Sequence, residues 1–439
     1  MMKNKYAAIF SVFISFVAYG QTADTLSLEE AIGIALHNNH NILIAQNEAE
    51  IARNNARAGN AGLLPRAYVA GGYNTSLDNL EMRFVDDQIP PIEQSNVRTH
   101  NYNAEAGLSY LLFDGFGNIY NFQRLRLQGD LGGVQARMDI ENTIFQMTGA
   151  FLESGRLQEV YETDQMAFEI SRDRLERIQI AYEFGAANRL EVLNAEVDYI
   201  TDSINVSISQ MNLRNSLRDL NIQLGREPRT PVTVRPGIAI IKDLREEEIM
   251  EQALARNARV RMADYNMSLS QADVRLARAA AFPRIEANAG YGLNRMESDA
   301  GFMVYQQTIG FNGGLNVNFN LFDGRQRVVR ERNANISLDN ARKNRELTKI
   351  RTEAEVANAY ENYRNYLQLL DLEQRSIEVA RLNFERSEEE LRLGQITSTQ
   401  FREAQINLIR TEIRRTEMRY QAKLAEMELY RLAGLLSID

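Results

Sequence analysis

The stretch Leu112-Phe113-Asp114-Gly115 occurs a second time as Leu321-Phe322-Asp323-Gly324, 209 residues further along the chain. The same offset pairs Gly185 with Gly394, Ala195 with Ala404 and Gly225 with Gly434. Upstream, Pro65-Arg66 recurs as Pro283-Arg284 at an offset of 218, so the first copy carries nine extra residues between 74 and 112. A unit of about 200 residues is far longer than a solenoid repeat. The sequence therefore predicts a duplicated domain with pseudo-twofold symmetry.

Charge and composition exclude several classes of protein. The formal net charge of -9 argues against a nucleic-acid partner, because phosphate binding needs a basic surface. The chain contains no cysteine, which excludes disulfides, thiol chemistry and a lipidated N-terminal cysteine.

The first twenty residues have the pattern of a secretory signal peptide. A basic start, Met1 to Lys5, precedes an apolar run from Tyr6 to Val17, and small residues stand before a cut at Gln21. No later window approaches eighteen consecutive apolar residues. An exported chain of this kind is either soluble outside the inner membrane or a β-barrel, and composition alone does not choose between them.

Two long blocks, 92–227 and 284–439, contain no proline and are rich in helix-forming residues. In the second block apolar residues alternate by four and three positions, which is the seam of a coiled coil. The seam comprises Val356, Tyr360, Tyr363, Leu367, Leu370, Ile377 and Phe384. In the first block a spacing of seven joins Tyr199, Val206, Leu213 and Leu220.

Glycines interrupt these helical blocks and give the predicted boundaries. Asn188 and Ser398 follow the turns at Gly185 and Gly394 as candidate N-caps. We expect repeat 1 over 21–227, with a helix over 28–59, strands near 66–77 and 101–113, a long helix over 115–184 and a helix over 188–225. A linker, 228–243, leads to repeat 2 over 244–439, with a helix over 244–279, strands near 284–294 and 309–322, a long helix over 325–393 and a helix over 398–436. Loops over 78–100 and 295–308 join the strands.

The predicted strands have one apolar face and one face of Asn, Gly and Glu. Ile309–Leu321 shows the alternation most clearly, and 285–294 and 102–112 share it. This pattern is typical of transmembrane barrels, although any single strand also fits a half-buried soluble strand. Four strands cannot close a barrel, and an open edge is excluded in lipid. We therefore expect three chains to share a twelve-stranded barrel, roughly 24 Å across.

The duplicated order of helix, strand pair, Phe-Asp-Gly, long helix, glycine turn and helix resembles the TolC-like outer membrane efflux family, whose members are also called outer membrane factors. The resemblance covers about 25–436. Its most specific parts are the two Leu-Phe-Asp-Gly stretches and two turn motifs, 182–195 and 391–404. The second turn motif is degenerate, since it lacks the family's tyrosine and first acidic residue.

The resemblance implies a mainly α chain with transmembrane β-strands. Its homotrimer would join a twelve-stranded barrel in the outer membrane of a Gram-negative bacterium to a long α-helical barrel projecting into the periplasm. In the family, acidic residues after the second turn surround the periplasmic mouth. Here those positions carry Gln400 and Glu403, and Glu191 could supply further charge. Three Glu403 carboxylates close to one axis would bind cations; the alternative is a solvated helix-surface residue.

The two glycine turns are the expected docking points for a periplasmic adaptor, and the alternative is that they are ordinary helix C-caps. They comprise Gly185, Ala186, Ala187, Asn188, Gly394, Gln395, Ile396 and Thr397. The strand-to-helix turns, Asp114-Gly115 and Asp323-Gly324, fit aspartate N-caps better than catalytic acids.

Other candidates are weak. His37 and His40 have a spacing that can ligate a metal, but no further ligand completes a site. Gly129, Gly132 and Gly133 lie in the predicted long helix and indicate a kink or a close contact. No enzyme motif is recognisable, and no cofactor is expected.

The leading hypothesis is a passive export duct that an inner-membrane pump and its adaptor protein open. A resistance-nodulation-division pump exporting small molecules is the first option, and an ABC-driven type I protein secretion system is the second. From a different class, an exported coiled-coil scaffold remains open. Lipid-facing Tyr102, Phe311 and Phe319 argue against the scaffold. The exported substrate is not determined by the sequence.

Overall fold

The computed structural model describes residues 25–85, 88, 90–235, 238–301 and 303–436. The predicted signal peptide, 1–20, lies outside these residues. The chain divides into two compact units, which we describe separately. The first comprises Met1–Asn39, Gln146–Ile240 and Tyr366–Leu424, and the second comprises His40–Phe145, Ile241–Asn365 and Ala425–Asp439.

Eight helices and six strands occur in the part of the chain that the structure describes. The helices are α1 Leu28–Asn38, α2 His40–Asn55, α3 Gly117–Glu183, α4 Arg189–Gln223, α5 Glu246–Arg256, α6 Ala258–Ala279, α7 Gln326–Arg392 and α8 Ser398–Leu432. The strands are β1 Thr25–Leu26, β2 Arg66–Met82, β3 Ile92–Phe113, β4 Thr233–Val234, β5 Arg284–Ser298 and β6 Tyr305–Asn318. Among these residues, no helix combines the length and hydropathy that crossing a bilayer requires.

The helices come in two lengths. Both α3 and α7 have 67 residues, and both α4 and α8 have 35. At 1.5 Å per residue these are about 100 Å and 50 Å long. The seam predicted in α7 is buried or half-buried throughout, with Val356, Tyr363 and Ile377 the most deeply buried members. Burial at alternating steps of four and three is what coiled-coil packing produces.

The core of the first unit joins α1, the start of its α3 segment, the end of α4, the β1–β4 pair and one residue of α8. Its buried members are Leu26, Ala31, Ala35, Met147, Phe151, Leu152, Leu220, Leu224, Val232, Val234 and Tyr420. Strand β4 lies within the predicted linker and pairs in parallel with β1. The linker sequence therefore contributes two valines to a hydrophobic core.

The prediction of single helices over 28–59 and 244–279 is wrong, because each is broken at an asparagine. Asn39 leaves the helical conformation, and its side-chain amide donates to Gln223 O at 2.6 Å, near the C-terminus of α4. Asn257 likewise donates to Leu432 O at 2.9 Å, at the end of α8. Each buried amide satisfies a carbonyl that a helix end leaves unpaired. Because that partner is distant in sequence, hydrophobic periodicity did not reveal the break.

In the second unit, four antiparallel strands form one sheet in the order β2-β3-β5-β6. The outer strands of this order, β2 and β6, do not pair with each other among the described residues. The sheet is therefore open in the single chain.

The strands extend well into the regions predicted as loops 78–100 and 295–308. Pairing continues from Arg66↔Ser109 to Met82↔Ile92, with an irregularity between Asp78 and Leu80. At the opposite end, β6 stops at Asn318 and leaves 319–322 outside the strand. Hydrogen bonds between strand backbones do not require alternating apolar residues. The hairpin therefore extends through polar residues that the alternation pattern did not identify as strand.

The glycines of α3 are explained in part by a close approach of two helices. A Cβ on Gly132 would lie 2.5 Å from Ala52 Cβ, and one on Gly129 would lie 3.1 Å from Ala56 Cβ. Both partners belong to the α2 region, so these glycines allow helix backbones to pack closely. Gly133 has no such neighbour.

Candidate functional site: an amphipathic sheet and two capped helical turns

The sheet of the second unit has two chemically different faces, because directly paired residues in adjacent strands project to the same side. The pairings Val69↔Ala106, Ala106↔Tyr291 and Tyr291↔Phe311 define an apolar face. Its large side chains are exposed in the single chain, with Val69 at 86% and Phe311 at 75%. Further exposed members are Tyr73, Leu77, Tyr102, Leu108, Ile309, Leu315 and Val317. So large an apolar surface indicates an apolar partner.

Aromatic residues stand at both limits of this face. Near the hairpin end, Tyr73 stacks on His100 and contacts Tyr102 with tilted rings. Arg295 lies over the rings of Tyr102 and Tyr305. Where the strands meet the helices, Phe113 packs edge-on against Phe116 and Phe282.

The spacing of the two aromatic levels fits a membrane. Tyr102 and Phe113 both lie in β3, eleven positions apart. Eleven residues at about 3.4 Å, tilted near 40°, rise about 28 Å, close to the apolar band of about 25 Å in outer-membrane barrels. Aromatic belts at the two interfaces are typical of such proteins.

The opposite face is polar and small. Asn103 pairs with Asn294 and Gly72, and Glu286 pairs with Asn316. Glu105 accepts a hydrogen bond from Tyr68 OH at 3.3 Å. Placing amides and carboxylates against hydrocarbon costs free energy, so we expect this face to contact water.

The strand-to-helix turns hold the predicted aspartates at the starts of α3 and α7. Asp114 Oδ1 accepts from Asn118 N at 3.2 Å, and Asp323 Oδ2 accepts from Arg327 N at 3.0 Å. Gly115 and Gly324 both have positive φ, at 72° and 63°. A Cβ on Gly115 would lie 2.5 Å from Ala279 O, whereas one on Gly324 would meet nothing within 4 Å. These aspartates stabilise helix starts, which is the role of a capping residue.

The two glycine turns between the long and short helices close in the same way. Gly185 and Gly394 have φ of 76° and 71°. Ala186 N donates to Ala181 O at 2.7 Å, and Gln395 N donates to Glu390 O at 2.8 Å. This left-handed glycine with a backward hydrogen bond is a Schellman C-cap. An added Cβ would meet nothing within 4 Å at either glycine, so the chain itself leaves space there.

Each short helix then begins with a reciprocal capping box. Asn188 Oδ1 accepts from Glu191 N at 3.0 Å, and Glu191 Oε2 accepts from Asn188 N at 2.9 Å. In the second turn Thr397, not Ser398, is the cap: Gln400 N donates to Thr397 Oγ1 at 3.3 Å. Gln400 Oε1 accepts from Thr397 N at 2.9 Å. The prediction of Ser398 was therefore wrong by one residue, because the helix begins at Ser398 itself.

The three candidate gate residues have different roles in the structure. Glu191 and Gln400 are exposed but serve as capping partners. Glu403 is exposed, while its neighbours Phe401 and Ala404 are buried. No ion pair within the described residues involves Glu403, so its carboxylate faces solvent in the single chain. Ala187, Gln395 and Ile396 form the rest of the turns.

A buried ionic cluster that the sequence did not reveal joins α3, α4 and α8 near these turns. Arg402 donates to Asp202 at 2.6 and 2.9 Å, and its Nε lies 3.5 Å from Asp198. Arg174 also pairs with Asp198, and its side chain is only 5% exposed. Arg402 was visible within the second turn motif, beside the apolar positions Phe401 and Ala404. An arginine placed between two apolar positions of a helix was the feature of the sequence that could have indicated a buried ion pair.

Helix α4 carries two apolar stripes on opposite sides. One stripe, with Val192, Ala195 and Leu220, is buried within the chain. The other is exposed at helical spacing and consists of Leu190, Leu193, Val197, Ile200, Ile204, Ile208 and Met211. We call it the outer seam of α4. A second exposed series lies on α7, at Leu369, Leu372, Val379 and Leu382.

The sequence model of the family described as outer membrane efflux protein matches residues 31–226 and 249–435, which is most of the chain. The chain belongs to the outer membrane efflux protein family. Its fold agrees with this. The Campylobacter jejuni CmeC outer membrane channel superposes with a TM-score of 0.76 at 15% identity, covering 100% of this chain and 96% of that one. The outer-membrane channel OprN superposes with a TM-score of 0.74 at 17% identity, covering 93% and 89%.

Curated relatives of this efflux family protein are distant but extensive. Protein CyaE of Bordetella pertussis is 23% identical over 78% of this chain and 70% of its own length. The toluene efflux pump outer membrane protein TtgF of Pseudomonas putida is 23% identical over 63% of this chain and 56% of its own length. The probable outer membrane lipoprotein SilC of Salmonella typhimurium is 22% identical over 92% and 84%.

The family assignment settles two general properties. The protein is an outer membrane protein, as its family is. It is not an enzyme, since the family and its solved structures are outer membrane channels. Within the described residues, no group of three or more His, Asp or Glu side chains is arranged to hold a metal ion, and His37 instead contacts Gly33 O at 2.8 Å.

Proposed function

We propose that this protein is the outer-membrane duct of a tripartite efflux system. In this assembly it works as a homotrimer and passively conducts substrates that an inner-membrane pump and a periplasmic adaptor deliver. The observation that carries the proposal is the open sheet with one apolar and one polar face. An open sheet edge is excluded in lipid, so the unpaired outer edges of β2 and β6 require partners. Three chains pairing β6 to β2 give a closed barrel of twelve strands whose polar faces enclose water.

The outer seam of α4 supports the same assembly. Its seven exposed apolar side chains repeat at steps of three and four, which is the pattern of a helix that packs against another helix. The exposed series on α7 of a second copy is the partner we propose. Repetition around a threefold axis leaves neither seam exposed. The two internal repeats, 21–227 and 244–439, then supply two copies of each element per chain.

Planar bilayers test the conducting role directly. We expect the purified trimer to give discrete single-channel currents, because the polar faces of the sheets would surround a continuous aqueous path. A folded trimer that inserts and gives no current would instead favour the coiled-coil scaffold.

We further propose that the three Glu403 carboxylates lie close to the axis at the periplasmic mouth and favour cations. The exposed and unpaired state of Glu403 in the single chain supports this. Glu403→Gln should lower the ratio of cation to anion permeability measured from reversal potentials. Glu388→Gln, which removes an equally exposed charge near the end of α7, is the matched control. Equal ratios for both variants would contradict the gate role.

The glycine turns are the proposed adaptor-docking points. Because a Cβ would meet nothing of this chain at Gly185 or Gly394, only the backbone conformation or a partner requires glycine there. Asparagine tolerates the left-handed conformation better than other side chains do. Gly394→Asn should therefore keep the trimer folded but reduce cross-linking to the adaptor in cells. Full cross-linking by this variant would argue against close approach at the turn.

Identification of the cross-linked adaptor also separates the two export routes. The relative named as part of a toluene efflux pump supports small-molecule efflux. We propose that a resistance-nodulation-division pump drives it. An adaptor that associates with an ABC transporter would instead support type I protein secretion.

A further inference from the structure

The side chain of Glu105, in the inner strand β3, lies flat along the polar face of the sheet. Its stem lies beside Gly292 of β5, where an added Cβ would be 3.4 Å from Glu105 Cβ and 3.5 Å from Glu105 Cγ. Its carboxylate lies over Gly290, where an added Cβ would overlap Glu105 Oε1 and lie 2.6 Å from Asn312 Oδ1. Gly290 is buried and Glu105 is half-buried. The two glycines therefore provide the space that this side chain occupies.

Tyr68 holds the carboxylate of Glu105 in this position. Its hydroxyl donates to Glu105 Oε1 at 3.3 Å. Its ring covers Gly107, where an added Cβ would lie 2.6 Å from Tyr68 Cζ. Tyr68 belongs to the outer strand β2, whereas Gly107 belongs to β3, so the ring is directed inward from the edge of the sheet. We therefore expect closure of the barrel at its outer strands to leave this cluster unchanged.

Glu105 is surrounded by neutral residues on the polar face. Between the levels of Tyr68 and Ser76, the pairing of the described strands places no other charged residue on this face. Its neighbours there are mainly glycine and asparagine. Arg66 stands four positions along β2 from Ala70, the partner of Glu105. Four positions span about 13 Å, which exceeds the Debye length of about 8–10 Å at physiological salt.

We propose that Glu105 makes the membrane-spanning part of the duct favour cationic solutes over anionic ones. Three copies of the cluster would place three carboxylates at one level of the barrel wall. A carboxylate beside a wall of low dielectric constant attracts cations more strongly than one in bulk water does. Because the glycines let the side chain lie flat, this charge acts without narrowing the passage. The proposal rests on the trimeric duct of the proposed function and adds the class of solute that the duct favours.

The absence of cysteine from the chain allows a local test of this charge. Asn103→Cys would place a single thiol on the same face, two positions from Glu105 in β3 and about 7 Å away along the strand. A cationic and an anionic methanethiosulfonate reagent of similar size would modify this thiol in the purified trimer. After correction for their rates with a free thiol, we expect the cationic reagent to react roughly threefold faster.

Addition of Glu105→Gln should bring this ratio of rates close to one, because glutamine keeps the shape of the side chain without its charge. The matched control is Glu297→Gln, which removes a carboxylate from the opposite face of the same sheet. Glu297 pairs with His100, three positions along β3 from the reporter thiol. The control should keep the ratio. A ratio that Glu105→Gln leaves unchanged, or that both variants lower equally, would overturn the proposal.

The space above Gly290 is tested by a second pair of variants. Gly290→Ala should displace the carboxylate of Glu105 toward the passage, because the added Cβ would overlap it. A bulky maleimide added outside intact cells should then label Asn288→Cys more slowly, since it must pass the level of Glu105. Addition of Glu105→Ala should restore the rate. Gly71→Ala, on the apolar face, should leave the rate unchanged, and equal labelling in Gly71→Ala and Gly290→Ala would overturn the flat position of Glu105.

Trimer mass and single-channel current of the same preparations distinguish this proposal from the duct itself. A conducting trimer whose reporter thiol reacts alike with both reagents would refute selection at Glu105 and leave the duct intact. Monomers without current would refute the duct.

Discussion

At the scale of single residues, two glycines with almost the same backbone conformation have different surroundings. Gly225 has φ of 68°, and a Cβ there would lie 2.2 Å from Asn38 O. Gly394 has φ of 71°, and a Cβ there would meet nothing within 4 Å. Gly394→Ala should cost only the left-handed conformation, about 1–2 kcal/mol of unfolding free energy. Gly225→Ala should cost at least twice as much, because backbone must also move. Denaturant unfolding of both variants measures the difference, and equal losses would contradict it.

The ionic cluster near the helical turns gives a second prediction. Arg402 and Asp202 have side chains only 12% and 5% exposed, so removing one partner leaves a buried charge. Arg402→Gln should therefore lower the unfolding free energy by about 3 kcal/mol. The control is Arg392→Gln, because its pair with Glu389 is 69% and 54% exposed; a change below about 0.5 kcal/mol is expected. Equal losses of unfolding free energy in the two variants would show that the cluster does not stabilise the fold.

From the buried Tyr363 we predict how the stability of the folded protein changes with pH in the alkaline range. Burial, with Glu426 nearby, raises the pKa of Tyr363 to about 12, and its hydroxyl donates to Ile241 O. The folded protein then holds this proton more tightly than the unfolded chain does, so the stabilisation is complete below the ordinary tyrosine pKa near 10. It is lost as the pH rises from about 10 through 12. Tyr363→Phe should show a smaller fall in melting temperature over that range, whereas exposed Tyr182→Phe should match the wild type.

At the scale of elements, a substitution on the outer seam of α4 distinguishes packing between chains from packing within one chain. Ile204 is 53% exposed on this seam, so Ile204→Glu should leave the fold of one chain intact. In a trimer it would bury an unpaired charge against a neighbouring helix. We expect helical content to be retained and the trimer to dissociate, as measured by circular dichroism and light scattering.

Asn194→Glu is the matched control for the seam. Asn194 is exposed on the same helix but outside the apolar stripe. This variant should remain trimeric, and dissociation of both variants would indicate a general effect of added charge.

The elements also show where sequence reasoning was sufficient. Absence of proline and the glycine at each turn predicted the long helices, which end at Glu183 and Arg392. The breaks at Asn39 and Asn257 were not predictable, because their hydrogen bonds go to carbonyls 184 and 175 residues away. The extension of β2 to Met82 was missed for a different reason, because backbone pairing with β3 leaves no mark in the alternation of side chains.

At the scale of the whole molecule, the open sheet predicts the oligomeric state. Chromatography with light scattering in mild detergent should give the mass of three chains of 50.1 kDa, less any cleaved signal peptide. The far-ultraviolet spectrum of the same fraction should retain its β contribution. A monomeric mass with that β contribution intact would contradict a shared barrel.

The sequence by itself determined the family, the long helices, the glycine turns and the two-faced strands, because periodicity and turn chemistry are local properties. Only the tertiary structure decided that Asn39 and Asn257 end helices and that Arg402 pairs with Asp202. These features depend on groups far apart in the chain, whose approach is set by packing rather than by their neighbours in sequence.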